Sequence, residues 1–224
     1  MKTQSSNNNR AFTVLELLVV VVTLALLALF LLPAISQANR KANRIHCVSY
    51  LKQIGLAARI WSGDNTNQYP MRVYTNAIGA PLFADATNLF RYFQAMSNEL
   101  STPFILVCPN DKLRTPATNL ETGFDNSHVS YFVGLDADES QPEMLLAGDR
   151  NVTNGMPIVN GQLTLTTNQP VGWTMAMHQG NGNAAFADGS VQQMTPSRLR
   201  NALAASGTST NRLLFPWVPP PGSN

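Results

Sequence analysis

The chain is poor in charge, cysteine and histidine. Of its 224 residues only 12% are charged, and 15 basic side chains against 13 acidic ones leave a formal net charge of +2. Nothing forms the basic patch or stripe that phosphate binding requires, so nucleic acid is excluded as a partner class. Cys47 and Cys108 are the two cysteines. They fit neither a zinc site, which needs about four ligands, nor a CxxC redox pair. They can close one disulfide, worth about 4 kcal/mol in the chain-entropy account, or remain two buried thiols; the compartment decides which. No internal repeat is evident. The length suffices for a membrane segment plus one globular domain and leaves no room for a second.

What the chain does have is a long apolar run near its start. From Leu17 to Leu32 it is broken only by Thr23, and from Phe12 to Ile35 it extends over twenty-four residues. About 20 residues suffice to span a bilayer as a helix. A secretory signal peptide is the competing reading, since Lys2 and Arg10 precede the run and "AISQA" (34–38) is a loose cleavage site. The run is too long for that, and it carries Glu16, although a carboxylate costs about 2.5–3.5 kcal/mol at the centre of a membrane helix and less near its end. An acid in such a place calls for a partner. If the chain is cut between Ala11 and Phe12, the new amine of Phe12 can pair with Glu16 of a neighbouring copy and set the register between subunits.

These residues, "A-FTVLELLVVVVTLALLALFLLPAI", resemble the N-terminal segment of type IV prepilins and type II secretion pseudopilins. The resemblance implies that a membrane-embedded prepilin peptidase cuts after Ala11, where glycine is usual, and methylates Phe12. It makes Glu16 the assembly residue and Pro33 the helix-kinking proline. It further implies a single-pass inner-membrane protein whose C-terminal domain is periplasmic, with sister subunits and the secretion or pilus assembly platform as partners. The fold expected is α+β and pilin-like: a long N-terminal helix, its first half transmembrane and its second amphipathic, packed on a small antiparallel sheet. The domain reading is then a leader at 1–11, an assembly helix at 12–35, its amphipathic continuation at 36–62, a globular domain at 63–215 and a disordered tail at 216–224.

Beyond Pro33, Ala38, Ala42, Ile45, Val48, Leu51, Ile54, Ala58 and Trp61 recur at helical steps, and the helix is expected to stop near Ser62-Gly63. His46 reads as a helix-surface residue. In the domain, residues 86–100 read as a short amphipathic helix, "FILVCP" (104–109) as a buried strand, and "VSYFVGL" (129–135) and "MLLAGD" (144–149) as strands. "GWTMAMH" (172–178), "NAAFAD" (183–188) and "SVQQM" (190–194) read as an antiparallel meander, and residues 196–206 as a terminal helix opened by Pro196.

"HQGNGNAAFADG" (178–189) places His178 ten residues before Asp188-Gly189. This resembles the H-x9-DG element of prepilin-type proteins of planctomycete-like and verrucomicrobial lineages, as do "CVSYLKQIGLAARIWSGDNTNQYP", "ILVCPND" and "LLAGDRN". Physically, Asp188-Gly189 is a tight hairpin turn, and the His178 imidazole can hydrogen-bond to Asp188 across the meander. No nucleophile or metal set accompanies the pair, so a hydrolase is disfavoured and no catalytic residue is assigned. "GNGNAA" (180–185) matches a loose dinucleotide pattern but precedes a strand and not a helix, and is rejected. Asp136, Asp138 and Glu139 offer loop oxygens to calcium; a solvated acidic turn is the simpler reading. No cofactor is required. The function expected is a structural (pseudo)pilin subunit, the alternative a membrane-anchored extracytoplasmic binding module that does not polymerise.

Overall fold

The computed structural model describes residues 13–74, 82–83 and 85–218, except for the side chains of Phe30, Pro33 and Ala34. The leader, Ala11, Phe12 and the tail beyond Val218 lie outside the described residues. The chain divides into two units, Met1–Ala42 and Asn43–Asn224.

The first unit is the N-terminal part of helix α1, which runs from Val14 to Asp64. Its start is a capping box. Thr13 Oγ1 accepts from the backbone N–H of Glu16 at 3.2 Å, and the Glu16 carboxylate accepts from the Thr13 N–H at 2.9 Å. Two donors that the helix itself leaves unpaired, or that stand just outside it, are thereby satisfied. Large apolar side chains from Val14 to Ile35 stand exposed on every face of this part, with no polar stripe between them. Among the described residues no helix is long and apolar enough to cross a membrane. The helix is continuous through position 33, where the expected kink rests on a side chain outside the described set.

In the second unit the same helix becomes amphipathic. Cys47, Leu51, Ile54, Ala58 and Trp61 are buried at steps of four, three, four and three, the spacing of one helical face. Ile45, expected on that stripe, is 62% exposed, and His46 is exposed as expected. The helix outruns Gly63. Its end is made by Thr66 and Asn67 in left-handed backbone, at φ 59° and 55°, with the Asn67 N–H donating to the Ser62 carbonyl at 3.0 Å. Asparagine does here what glycine was expected to do.

Eight strands follow two short helices, α2 (Pro70–Val73) and α3 (Phe90–Ala95). They are β1 (Tyr131–Gly134), β2 (Leu145–Asp149), β3 (Val152–Thr153), β4 (Gln162–Thr166), β5 (Gly172–Trp173), β6 (Gly182–Phe186), β7 (Val191–Met194) and, after helix α4 (Pro196–Ala205), β8 (Thr210–Leu214). Six form an antiparallel sheet in the order β4-β8-β1-β2-β6-β7, while β3 and β5 pair separately. The expected α+β class, with an N-terminal helix and a small antiparallel sheet, is what the chain adopts.

The sheet is covered on both faces. Tyr131, Val133 and Leu146 join the α1 residues in one apolar cluster, whereas Phe132, Leu145 and Phe186 join Leu199 and Leu203 of α4 in another. Central strands β1, β2 and β6 are therefore buried at every position, whereas β4 and the first four residues of β8 alternate. Three sequence expectations are corrected. Residues 104–109 are not a strand: Pro103 opens a 3-10 turn, Pro103–Leu106, whose Phe104 N–H is capped by Thr102 Oγ1. Of 172–178 only Gly172–Trp173 is extended, and it pairs with β3 and not with β6. The helix expected over 86–100 is a 3-10 turn at Ala86–Asn88 followed by six residues of α3. Strands β4 and β8 were not foreseen. Pro216, assigned to the tail, is buried, and its carbonyl accepts from Arg114 at 2.8 Å.

Candidate functional site

The four quoted segments of the H-x9-DG resemblance meet at one buried point. Cys47 on α1 and Cys108, just after the 3-10 turn, are joined by a disulfide with their Cα atoms 5.1 Å apart. Of the two readings left open by the sequence, the bonded one holds. Asp149 closes β2 directly opposite Tyr131 of β1, on the sheet face that α1 covers. His178 follows β5 in a tight loop. The residues on either side of it, Met177 and Gln179, both have positive φ, at 62° and 55°, a conformation costing roughly 1–2 kcal/mol each for a side chain with a Cβ. Such backbone persists where surrounding contacts hold it. Here Asn151 does so, its Nδ2 donating to the carbonyls of Thr174, Ala176 and Asn181 at 3.1, 2.8 and 3.0 Å.

The imidazole is thereby pushed into the core, where His178 is 6% exposed and Asp149 and both cysteines are fully buried. Its Nε2 lies 3.2 Å from Asp149 Oδ2 and 3.4 Å from Cys108 Sγ. Its Nδ1 lies 3.1 Å from Asn110 Nδ2, whose Oδ1 in turn accepts from Asn43 Nδ2 at 3.2 Å. With Asn110 so oriented, Nδ1 accepts and Nε2 faces Asp149 with its proton; Asn183 Nδ2 also stands 3.3 Å from Nε2. Asp149 Oδ2 also accepts from the Asn183 N–H at 2.7 Å and from Asn183 Nδ2 at 2.8 Å. Asp149 Oδ1 and the Tyr131 hydroxyl have no hydrogen-bond partner among the described residues. Burial, and after it the Asp149 charge, push the Tyr131 phenol well above its ordinary pKa. Arg44, whose guanidinium donates to Asn183 Oδ1 and the Gly182 carbonyl, brings a positive charge near the same carboxylate.

A second link ties the segments together. Arg150 grips Asp111 with two hydrogen bonds of 2.6 and 2.7 Å. Burial works against the Asp111 carboxylate, but the hydrogen bonds and charge of Arg150 outweigh it and hold its pKa below the ordinary value. Thus in "LLAGDRN" Asp149 faces the histidine, Arg150 binds "ILVCPND", and Asn151 braces the histidine loop; in "ILVCPND" Cys108, Asn110 and Asp111 each take one of the complementary contacts. Asp149, Asn110 and Asn183 escaped the sequence reading. The available signal was an acid ending a wholly apolar run, where solvent exposure is the usual expectation.

The remaining candidates stand elsewhere. Asp188 does not bond to His178: it is exposed, its Oδ1 accepts from the Ser190 N–H at 2.8 Å and its carbonyl from Arg59 Nη1 at 2.7 Å. The expected pair fails because the turn points Asp188 out of the sheet, while Asp149 arrives from the neighbouring strand. Gly189, at φ 83°, makes the expected hairpin between β6 and β7. Asp136 is taken by Arg212, and Asp138 by Arg72 and Ser140, so with Glu139 they form no group of calcium-holding oxygens among the described residues. A separate cleft of about 810 Å³ is lined by Asp85, Arg150, Ile158, Phe215 and Trp217 among others. No family model, curated protein or solved structure matches the chain.

Proposed function

We propose that the chain is a structural subunit of a type II secretion pseudopilus or type IV pilus-like filament, processed by a prepilin peptidase after Ala11 and assembled through residues 12–35. The observation that carries this reading is the division of labour along α1. Its C-terminal part is stapled into an α+β domain, while its N-terminal part exposes apolar side chains on all faces. A helix that is apolar all round is at rest in lipid or among other helices. Twenty-four consecutive residues, 12–35, would extend about 36 Å as a helix, and single-pass anchoring in the inner membrane with a periplasmic domain belongs to the same proposal. The Cys47–Cys108 disulfide agrees with an oxidising compartment. Assembly exchanges lipid for sister helices, aligned by Glu16 and the Phe12 amine, and it needs no catalytic residue.

The deciding experiment is the N-terminal residue and mass of the protein extracted from its native membrane. A start at N-methylated Phe12 is expected, and an intact Met1 or a start near Asn39 overturns the reading. The cleft beside Arg150 and the half-exposed Trp217 favours a second reading, a membrane-anchored binding module that does not polymerise. Crosslinking of single-cysteine variants in 12–35, in a background lacking the native pair, separates the two, because a polymer gives ladders.

A further inference from the structure

We propose that the outer edge of β7 is a docking strand for an extended, acidic segment of a partner protein, which joins the sheet beside it. This rests on the globular domain alone and is independent of assembly. The six-stranded sheet has two edges, β4 and β7, and an edge strand offers its unpaired N–H and C=O groups to any strand that can reach them. At β4 those groups are taken. The N–H and carbonyl of Gln162 pair with Val159, the Thr164 carbonyl accepts from Asn154 Nδ2 at 3.0 Å, and the Thr166 carbonyl accepts from the Gln169 N–H at 3.3 Å.

At β7 they are open. The Asn183 N–H turns to Asp149 on the β2 side, so Gly182 and Ala184 face β7 and bond Met194 and Gln192, their register partners. Val191 and Gln193 therefore direct their backbone groups away from β6, and these groups have no hydrogen bond among the described residues. Gln192 and Gln193 are exposed and Val191 is half-buried. No charge, proline or register shift guards the strand.

The surroundings select the partner's charge. Helix α1 lies along the β6–β7 hairpin: Arg44 donates to the Gly182 carbonyl at 3.3 Å, Gly55 stands against Gly189, and Arg59 donates to the Asp188 carbonyl at 2.7 Å. Steps of four and three put the exposed Lys52 between the two arginines on the same side of the helix. On the other face of the sheet, α4 begins two residues after β7 and carries the exposed Arg198 in its first turn. The sequence has no acid between Glu16 and Asp64, and none from Gly189 to Asn224. Asp188 in the turn borders the edge, and its Oδ1 is occupied by the Ser190 N–H. An added strand thus runs beside basic side chains on both faces; backbone bonds give it affinity, and its own carboxylates give selection. A second copy of β7 fits poorly, since self-pairing brings two basic borders together with no acid to answer them.

The test titrates full-length protein in detergent with a short fluorescent peptide of alternating glutamate and valine. Its counterparts are a lysine and valine peptide and a glutamate peptide N-methylated at two adjacent central amides, which blocks both of its edges. The glutamate peptide should bind, the lysine peptide at least about tenfold more weakly, and the N-methylated one not at all. Amide exchange at Val191 and Gln193 should be fast in the free chain and slowed by the peptide. Gln193→Pro removes an outward N–H and leaves the bonds of Gln192 and Met194 to β6 in place; it should keep the urea midpoint and lose the peptide, while Gln193→Ala binds as the parent does. Lys52→Glu combined with Arg198→Glu should weaken the glutamate peptide at least about tenfold. If Gln193→Pro unfolds the domain, the N-methylated peptide carries the same test. Absence of binding by the glutamate peptide, equal binding of the two charges, or binding that survives N-methylation overturns the proposal. A concentration-dependent dimer that Gln193→Pro abolishes overturns it in favour of a second copy.

Discussion

The two parts of helix α1 are continuous in backbone and opposite in chemistry. Up to Ala42 its large apolar residues are exposed on all faces; from Asn43 onward apolar residues are buried along one stripe while Lys52 and Arg59 lie off it. Helix formation is common to both, so what differs is the solvent each is composed for. The second part is folded by its own domain, and the first has no cover within the described residues. Substitutions should therefore separate the two cleanly.

The largest effect expected is loss of the disulfide, which closes a loop of 61 residues. Replacing both Cys47 and Cys108 with alanine should lower domain stability by about 4 kcal/mol, read as a lower urea midpoint by tryptophan fluorescence with a chelator present. Helicity of the first part should be unchanged. Equal midpoints would show that the staple does not hold α1 to the domain.

Within the helix itself the contrast sharpens. Leu51 is fully buried and Leu24 is 60% exposed. Leu51→Ala should cost about 3 kcal/mol, within the usual spread for buried leucines, whereas Leu24→Ala should move domain stability by less than about 0.5 kcal/mol. Comparable losses at the two positions, measured by denaturant unfolding, would erase the distinction.

How much of this could be read beforehand follows the same line. Periodicity located α1 and its stripe, and apolar runs located β1, β2 and β6, because burial of a whole strand or face leaves a dense local pattern. Strands β4 and β8 were missed since exposed polar residues such as Thr164 and Arg212 dilute the pattern. Residues 104–109 looked extended because a buried apolar run does not distinguish a strand from a turn; Pro103 was the overlooked sign. At the site, counting cysteines set aside a zinc site but said nothing of Asp149 and His178, which come to the disulfide from other segments. Nothing local announces that β2 will bring Asp149 to the histidine in place of Asp188. Sheet order decides that, and sheet order was not readable.

Acid gives the next comparison. Asp111 has its folded pKa depressed, net of burial, by Arg150. It therefore adds stability that is fully present above its unfolded value near 4 and is lost as pH falls through the lower folded value. Asp111→Asn should cost about 2 kcal/mol at neutral pH, the scale of a hydrogen bond to a charged group, and should flatten the acid limb of the stability curve. The helical signal of the first part should persist at the pH where the domain loses its near-ultraviolet spectrum. Loss of both together would mean that the two parts unfold as one.

The smallest loss expected lies at Glu16, and it decides the most about function. The sequence assigned this acid to an intermolecular pair, whereas in the single chain it completes a capping box with Thr13. A T-x-x-E signature was present at Thr13 to Glu16 and has a purely local use. The two uses differ in what they demand: a cap needs a side-chain oxygen, which glutamine also has, but pairing with an amine in a low dielectric needs the charge. Glu16→Gln should keep the helix start, with amide exchange near Thr13 unchanged, while Glu16→Ala should lose about 1 kcal/mol of local protection. If filaments form through the Glu16 charge, both variants should insert in the membrane and both should fail to assemble. Assembly by Glu16→Gln at the level of the parent chain would reduce Glu16 to a helix cap.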